Sequence, residues 1–183
     1  MPYTVHTVDT APVAAKDTLA SAKNAFGFLP NLLGVMATAP ALVKAYTTLS
    51  RIFEETSFDA TERQVVLLAA NYENDCEYCI AAHSVIAGMR KVPDAVIQAI
   101  RDNRPIPDTK LEALRRFTAA IVNTRGWPSD DDVRAFTSAG YGERQILEVI
   151  LGIGFKTLSN YTNHVAGTPL DPAFAKAAWS KAA

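Results

Sequence analysis

Four times along this chain a short polar residue stands three positions ahead of a Glu or Asp at the start of a helix-like stretch: Asp59 and Glu62, Asn74 and Glu77, Thr109 and Glu112, Ser129 and Asp132. Each pair is a capping-box pattern, in which side chains satisfy amide groups that a helix start otherwise leaves unpaired. The segments behind them fit. Residues 65–70 form an apolar run, CEYCIAAHSVIAGM follows Asn74, and Leu111, Leu114, Phe117, Ile121 and Val122 recur at helical spacing. Gly88 and Lys91 ahead of Pro93, the Gly126-Trp127-Pro128 break and Gly140 supply stops, while Pro93 opens a further helix through about Arg101. The longest helix is predicted from about Glu143 to Ala166, with Gly152 and Gly154 inside it as points of bending or close packing. Upstream, residues 13–26, about 30–38 and 40–56 read as helices. No period-two run suggests a strand, so the expected fold is all-α, a helical bundle in one domain covering 1–183.

At 49% hydrophobic and 20% charged residues, the chain can bury an ordinary core. Eighteen Lys and Arg against nineteen Asp and Glu leave a formal charge of -1, too little field to hold a nucleic acid or an anionic membrane surface. A span needs roughly 18 apolar residues in a row, and none occurs; the N-terminal stretch lacks a basic region followed by an apolar one. A cytoplasmic protein without nucleic-acid or membrane partners is expected. The apolar runs 65–70 and 146–155, with Leu32, Leu33, Val35 and Met36, suggest surface left for a neighbouring copy of the chain.

One internal repeat organises the chain. Thr56-Ser57 and Glu62-Arg63-Gln64 recur 81 residues later as Thr137-Ser138 and Glu143-Arg144-Gln145, and His83 maps onto His164. Cys76 and Cys79 map onto Thr157 and Asn160, so the second copy lacks thiols. A duplicated helical hairpin is expected, with halves at about 40–90 and 109–167 related by a pseudo-twofold axis and chemistry kept in the first.

Both cysteines fall in one segment, Cys76-Glu77-Tyr78-Cys79, with His83 four residues on. On a helix these three side chains share one face, Cys79 and His83 one turn apart. The thiolate is the nucleophile, and a cysteine with pKa near 8.5 is only about 3% ionised at pH 7, so something must activate it. A helix start favours the anion by roughly 0.3 to 1 kcal/mol, less than one pKa unit. His83 could take the proton from Cys79 or stabilise the thiolate as imidazolium, whereas Glu73, Asp75 and Glu77 oppose a thiolate. The same three residues also suit an inert core face, or three ligands of a zinc site whose fourth would come from His6 or His164. A thioredoxin-type site is disfavoured by the absence of βαβ alternation.

The segment RQVVLLAANYENDCEYCIAAHS, with LPNLLGVMATAP upstream and NYTNHVAGTPLD downstream, resembles the alkylhydroperoxidase D-like and carboxymuconolactone decarboxylase superfamily, and is most similar to its peroxidase-related branch. The resemblance implies an all-helical homo-oligomer, a trimer or hexamer, that uses Cys76 and Cys79 as a redox pair and His83 as a proton-relay residue. In the cycle expected from this pair, Cys79, the cysteine next to His83, attacks a hydroperoxide, Cys76 resolves the sulfenic acid as a disulfide, and an external dithiol restores the pair at the accessible sulfur, Cys76 near the helix start, with no metal, flavin or nicotinamide required. The family pattern has a glutamate twelve residues before the first cysteine; here that position is Gln64. An amide accepts no proton, so Glu73 or Glu62 would have to substitute, or Gln64 orients His83 by hydrogen bonding. Two other activities stay open: an oxidation sensor without turnover, and a lactone decarboxylase, against which the CxxC pair argues.

Overall fold

The computed structural model describes residues 3–181; residues 1–2 and 182–183 of the expected domain lie outside the described residues. The described chain is all-helical: α1 (Val13–Phe26), α2 (Asn31–Met36), α3 (Pro40–Glu54), α4 (Ala60–Glu73), α5 (Glu77–Met89), α6 (Asp94–Arg101), α7 (Thr109–Asn123), α8 (Asp130–Ser138) and α9 (Glu143–Ala166), closed by a 3₁₀ helix over Pro172–Ala177.

The central helix is α4. It starts where the sequence pattern puts it: Glu62 N donates to Asp59 Oδ1 at 2.8 Å and Asp59 N to Glu62 Oε2 at 3.0 Å. Residues 64–72 are then all buried, so the helix is apolar around its circumference because α5, α6, α7 and α9 surround it. Ser129 and Asp132 likewise form the predicted box at the start of α8. Two patterns were drawn elsewhere. At α7 the cap is Asp108, whose carboxylate accepts from Leu111 N, and Glu112 instead accepts from Ile106 N at 2.9 Å. At α5 the cap is Cys76, and Asn74 closes α4.

Two apolar clusters fill the interior. The larger joins α4 to α6, α7, α8 and α9, with Phe117, Phe136 and Tyr141 stacked at centroid distances of 4.2 and 4.6 Å. The other lies under α1, α2, α3 and the start of α5, and it contains Cys76 and Cys79. Gly152 lets α9 cross α4 closely: a Cβ there would meet Val66 Cγ1 at 2.7 Å and Phe53 Cε2 at 2.8 Å. Gly154 has open space instead.

The two segments paired by the 81-residue offset open alike and then take different paths. Glu62 and Glu143 both stand in first turns, but the chain turns between α4 and α5 whereas the residues 81 further on continue unbroken through α9. Thus His83 is buried on α5 and His164 is exposed near the end of α9.

Candidate active site

The turn that carries the cysteines is built by Asp75. Its φ of 54° lies in the left-handed region, which short polar residues tolerate better than most. Cys76 follows in an extended conformation, with its N–H donating to Asn71 O at 3.0 Å, and Cys79 falls in the first turn of α5. Asn74 does not cap α5 because its side-chain amide crosses to α9, donating to Asn160 Oδ1 at 2.9 Å. Asn160 in turn donates to Asn71 Oδ1 at 2.9 Å, and Asn71 to Cys79 O at 3.3 Å. These amides tie α4, α5 and α9 together around the sulfurs.

Both thiols are free and buried, each about 1% exposed. Asn163 Nδ2 donates to Cys79 Sγ at 3.3 Å and approaches Cys76 Sγ at 3.7 Å. Ser159 Oγ lies 3.6 Å from Cys79 Sγ, placed to accept from the thiol or to turn and donate to the thiolate. Burial alone would raise the Cys79 pKa; the hydrogen bond from Cys76, the Lys156 ammonium, Ser159 and Asn160 outweigh it and bring the thiol down to about 5. Cys76 goes the other way, held protonated by its hydrogen bond to Cys79 and by burial. The pair is therefore polarised, with the anion on Cys79.

The hydrogen bonds of His83 run to Gln64 and Lys156. His83 Nδ1 lies 3.1 Å from Gln64 Oε1, and Nε2 lies 3.0 Å from Lys156 Nζ. With the amide oxygen accepting from Nδ1–H, Nε2 carries the lone pair and accepts from the ammonium. Burial first, then Lys156 and Arg90, hold the imidazole pKa well below its ordinary value, so His83 is neutral and orients a lysine. The cation that faces the thiolate is Lys156. Its side chain is fully buried on α9, with Nζ 5.0 Å from the Phe155 ring centroid. Burial pulls its pKa down, but the Cys79 thiolate more than offsets this and leaves it raised.

The two other sequence candidates face elsewhere. Glu73 Oε2 accepts from Asn123 Nδ2 of α7 at 2.8 Å. Glu62 is occupied by its cap, by Tyr141 OH at 3.0 Å and by Lys110 at 3.2 Å. Of the zinc-ligand candidates, His6 Nδ1 lies 3.0 Å from Thr10 O, and no three His, Cys, Asp or Glu side chains gather as a metal site among the described residues.

Cys79, His83, Lys156 and Gln64 form the floor of a cavity of about 700 Å³, whose walls are largely apolar and aromatic, from Phe26, Tyr46, Phe53, Phe155 and Phe174. Tyr78 OH closes one side, donating to Asp171 Oδ2 at 2.5 Å and accepting from Leu32 N at 3.3 Å. The same Asp171 accepts from Asn31 N, which pins the C-terminal segment to the start of α2.

The reading of the sequence missed Lys156, Ser159, Asn160 and Asn163. A signal was present, since 156, 159, 160 and 163 are spaced as one face of a helix, a polar stripe in a segment otherwise taken as apolar.

Residues 40–121, which include both cysteines and His83 but not Lys156, match the Carboxymuconolactone decarboxylase family. No curated protein gives a significant match to the sequence. The fold is that of several solved structures. An alkylhydroperoxidase AhpD core protein from Ralstonia eutropha JMP134, described as an uncharacterized peroxidase-related protein, superposes with a TM-score of 0.81 at 20% identity, over 94% of this chain and 93% of that one. A peroxidase-related protein from Silicibacter sp. TM1040 gives 0.78 at 18% identity, over 93% of each chain. A cysteine-to-alanine variant of the debrominase Bmp8, in complex with 2,3,4-tribromopyrrole, gives 0.81 at 17% identity, over 97% of this chain and 95% of that one. Sequence match and fold point the same way: residues 40–121 match the Carboxymuconolactone decarboxylase family, and the described chain has the fold of these alkylhydroperoxidase D-like structures.

Proposed function

We propose that the protein is a thiol-dependent oxidoreductase that reduces hydroperoxides through a Cys76–Cys79 dithiol/disulfide cycle. The observation that carries this reading is a buried thiol lowered to about 5 beside the Lys156 ammonium, on the floor of an apolar cavity, with a second, protonated thiol one helical turn away. Cys79 thiolate attacks one peroxide oxygen, the O–O bond breaks, and the alcohol leaves with one proton, giving a sulfenic acid on Cys79. Lys156 offsets the charge that develops on the leaving oxygen. Cys76 then attacks the Cys79 sulfur, its proton leaves with the hydroxyl as water, and the disulfide forms. A dithiol donor returns two electrons and completes the cycle.

The test is steady-state consumption of an organic hydroperoxide with dithiothreitol as donor. Many equivalents should be consumed per subunit, the oxidised protein should lose two protons in the peptide holding both cysteines, and Cys79→Ser should abolish turnover. One equivalent consumed and no more would make the protein an oxidation sensor; full activity in Cys79→Ser would point to chemistry without thiols. A second reading uses the same dithiol on a halogenated aromatic, favoured by the aromatic walls of the cavity and by the likeness to a debrominase with a bromopyrrole bound. Bromide release from a bromopyrrole under dithiothreitol distinguishes it.

The proposal includes a homo-oligomer. Of the segments first considered, residues 65–70 and Leu32, Leu33, Val35 and Met36 are buried within the chain, whereas 146–155 carries exposed Leu147 and Ile150, which Tyr161 and Val165 extend along α9. A second copy is the simplest cover for that stripe. Light scattering should give a mass near three or six times 19.8 kDa, and a concentration-independent monomer mass would end this part of the proposal.

A further inference from the structure

The two sulfurs open to different cavities. Cys79 lines the large apolar one with His83 and Lys156, whereas Cys76 lines a second, of about 490 Å³, with Asp75, Glu77, Asn163, His164 and Trp179. Tyr78 borders both, and its hydroxyl is fixed by Asp171 and Leu32 N, so it forms a wall between them. In this second cavity two buried polar atoms lack hydrogen-bond partners: Asn163 Oδ1, on a residue 6% exposed, and Thr168 Oγ1. A buried acceptor left unpaired costs about 1 to 3 kcal/mol, and a ligand that donates to it recovers that cost.

We infer that the second cavity is the port for the electron donor, and that it takes a thiol of neutral or positive charge bearing an N–H or O–H group, which attacks Cys76 of the disulfide while peroxide reaches Cys79 from the opposite side. The inference rests on the dithiol cycle proposed above. Charge selects the donor: Asp75 and Glu77 are exposed carboxylates beside Cys76, and no lysine or arginine lines the cavity among the described residues. An anionic thiol is repelled there and a cationic one attracted. The chemistry points to the same sulfur, because exchange is faster when the sulfur expelled is the better leaving group, and Cys79 beside Lys156 is the stabilised thiolate. The donor's thiolate bonds to Cys76 Sγ, the Cys76–Cys79 bond breaks, and its electron pair stays on Cys79. The donor's second thiol then loses its proton and bonds to the donor sulfur held on Cys76. Cys76 leaves as a thiol, and the donor departs as a disulfide, having left its two electrons and two protons with the Cys76–Cys79 dithiol.

The protein is first oxidised with one equivalent of peroxide, and mass spectrometry checks the two-proton loss; failure at this step ends the dithiol cycle itself and is seen before the port is tested. Oxidised protein is then treated with cysteamine, 2-mercaptoethanol or 3-mercaptopropionate at equal thiolate concentration, with iodoacetamide present to cap the sulfur released. The expected products carry the thiol on Cys76 and the carbamidomethyl group on Cys79. Rates should fall from the cationic to the neutral to the anionic thiol, about tenfold across the series at low salt, and less as salt is added. The double variant Asp75→Asn with Glu77→Gln should close that gap while the adduct stays on Cys76. Adducts found on Cys79, or rates in the unmodified protein that ignore thiol charge, would overturn the inference.

Discussion

Replacing Lys156 with Met raises the titration midpoint of Cys79 from about 5, read as thiolate absorbance against pH, because burial is then opposed only by the hydrogen bonds from Cys76, Ser159 and Asn160. At pH 6 the thiolate fraction, about nine-tenths with the lysine in place, falls by about tenfold for each pKa unit that the midpoint rises beyond 6. Peroxide consumption drops in the same pH range, though by less than the thiolate fraction alone, because a more basic thiolate is intrinsically more nucleophilic. His83→Ala should give a smaller rise, since the imidazole touches Lys156 and not the sulfur. Stability separates this effect from damage. With Lys156 gone, Cys79 can take up a proton rather than leave an uncompensated charge buried, and replacing a buried ion pair with an apolar side chain of similar length is neutral or stabilising.

The pH dependence of stability has a definite sign. Cys79 is depressed in the folded state, so its ionisation contributes stability that is complete above the unfolded value near 8.5 and is lost as pH falls to about 5. His83, also depressed, adds a loss of the same sign below about 6.5 in both proteins. The slope between pH 7 and 8.5 is therefore the part that Lys156→Met should remove. An unchanged midpoint for Cys79 in that variant would show that the lysine does not hold the thiolate.

How much of this was legible locally follows from where each interaction reaches. Capping boxes close within four residues, and so Asp59 with Glu62 and Ser129 with Asp132 could be read directly. Asn74 carried the same letters but spends its amide on Asn160, 86 residues away, and no local pattern announces that. The thiols and His83 were legible because they sit on one short helix. Their electrostatics were only partly legible: the Cys76 hydrogen bond to Cys79 is local, but Lys156, Ser159 and Asn160, which also lower Cys79, are brought in by α9, Lys156 from 77 positions later in the chain. Helix α9 also inverts the usual rule: its polar stripe of Lys156, Ser159, Asn160 and Asn163 is buried, while Leu147, Ile150, Tyr161 and Val165 face outward. A search for apolar faces alone places such a helix backwards. Gln64 could be seen to lack a carboxylate, and the structure gives its amide to His83 Nδ1.

Gly152→Val should cost about 3 kcal/mol or more of unfolding free energy in urea, near the upper end for overpacking a core. The backbone of Gly152 is helical and does not require glycine, and valine has the better helix propensity by a few tenths of a kcal/mol, so the penalty is purely one of space. That space is absent: the first added carbon already meets Val66 Cγ1 at 2.7 Å and Phe53 Cε2 at 2.8 Å, and both neighbours are almost wholly buried. Something must move, and the path of least resistance is α9 lifting from α3 and α4. Lys156 lies one turn further along the same helix face, so the lift also withdraws the ammonium from Cys79. The variant should therefore raise the Cys79 titration midpoint as well as lower stability. Phe53→Leu in the same chain should recover a large part of both, a coupling that a merely damaged fold would not show. Stability lost with the midpoint unmoved would mean that α9 yields locally at Gly152 and that the seat of Lys156 is set by the amide ties of Asn71, Asn74 and Asn160 alone.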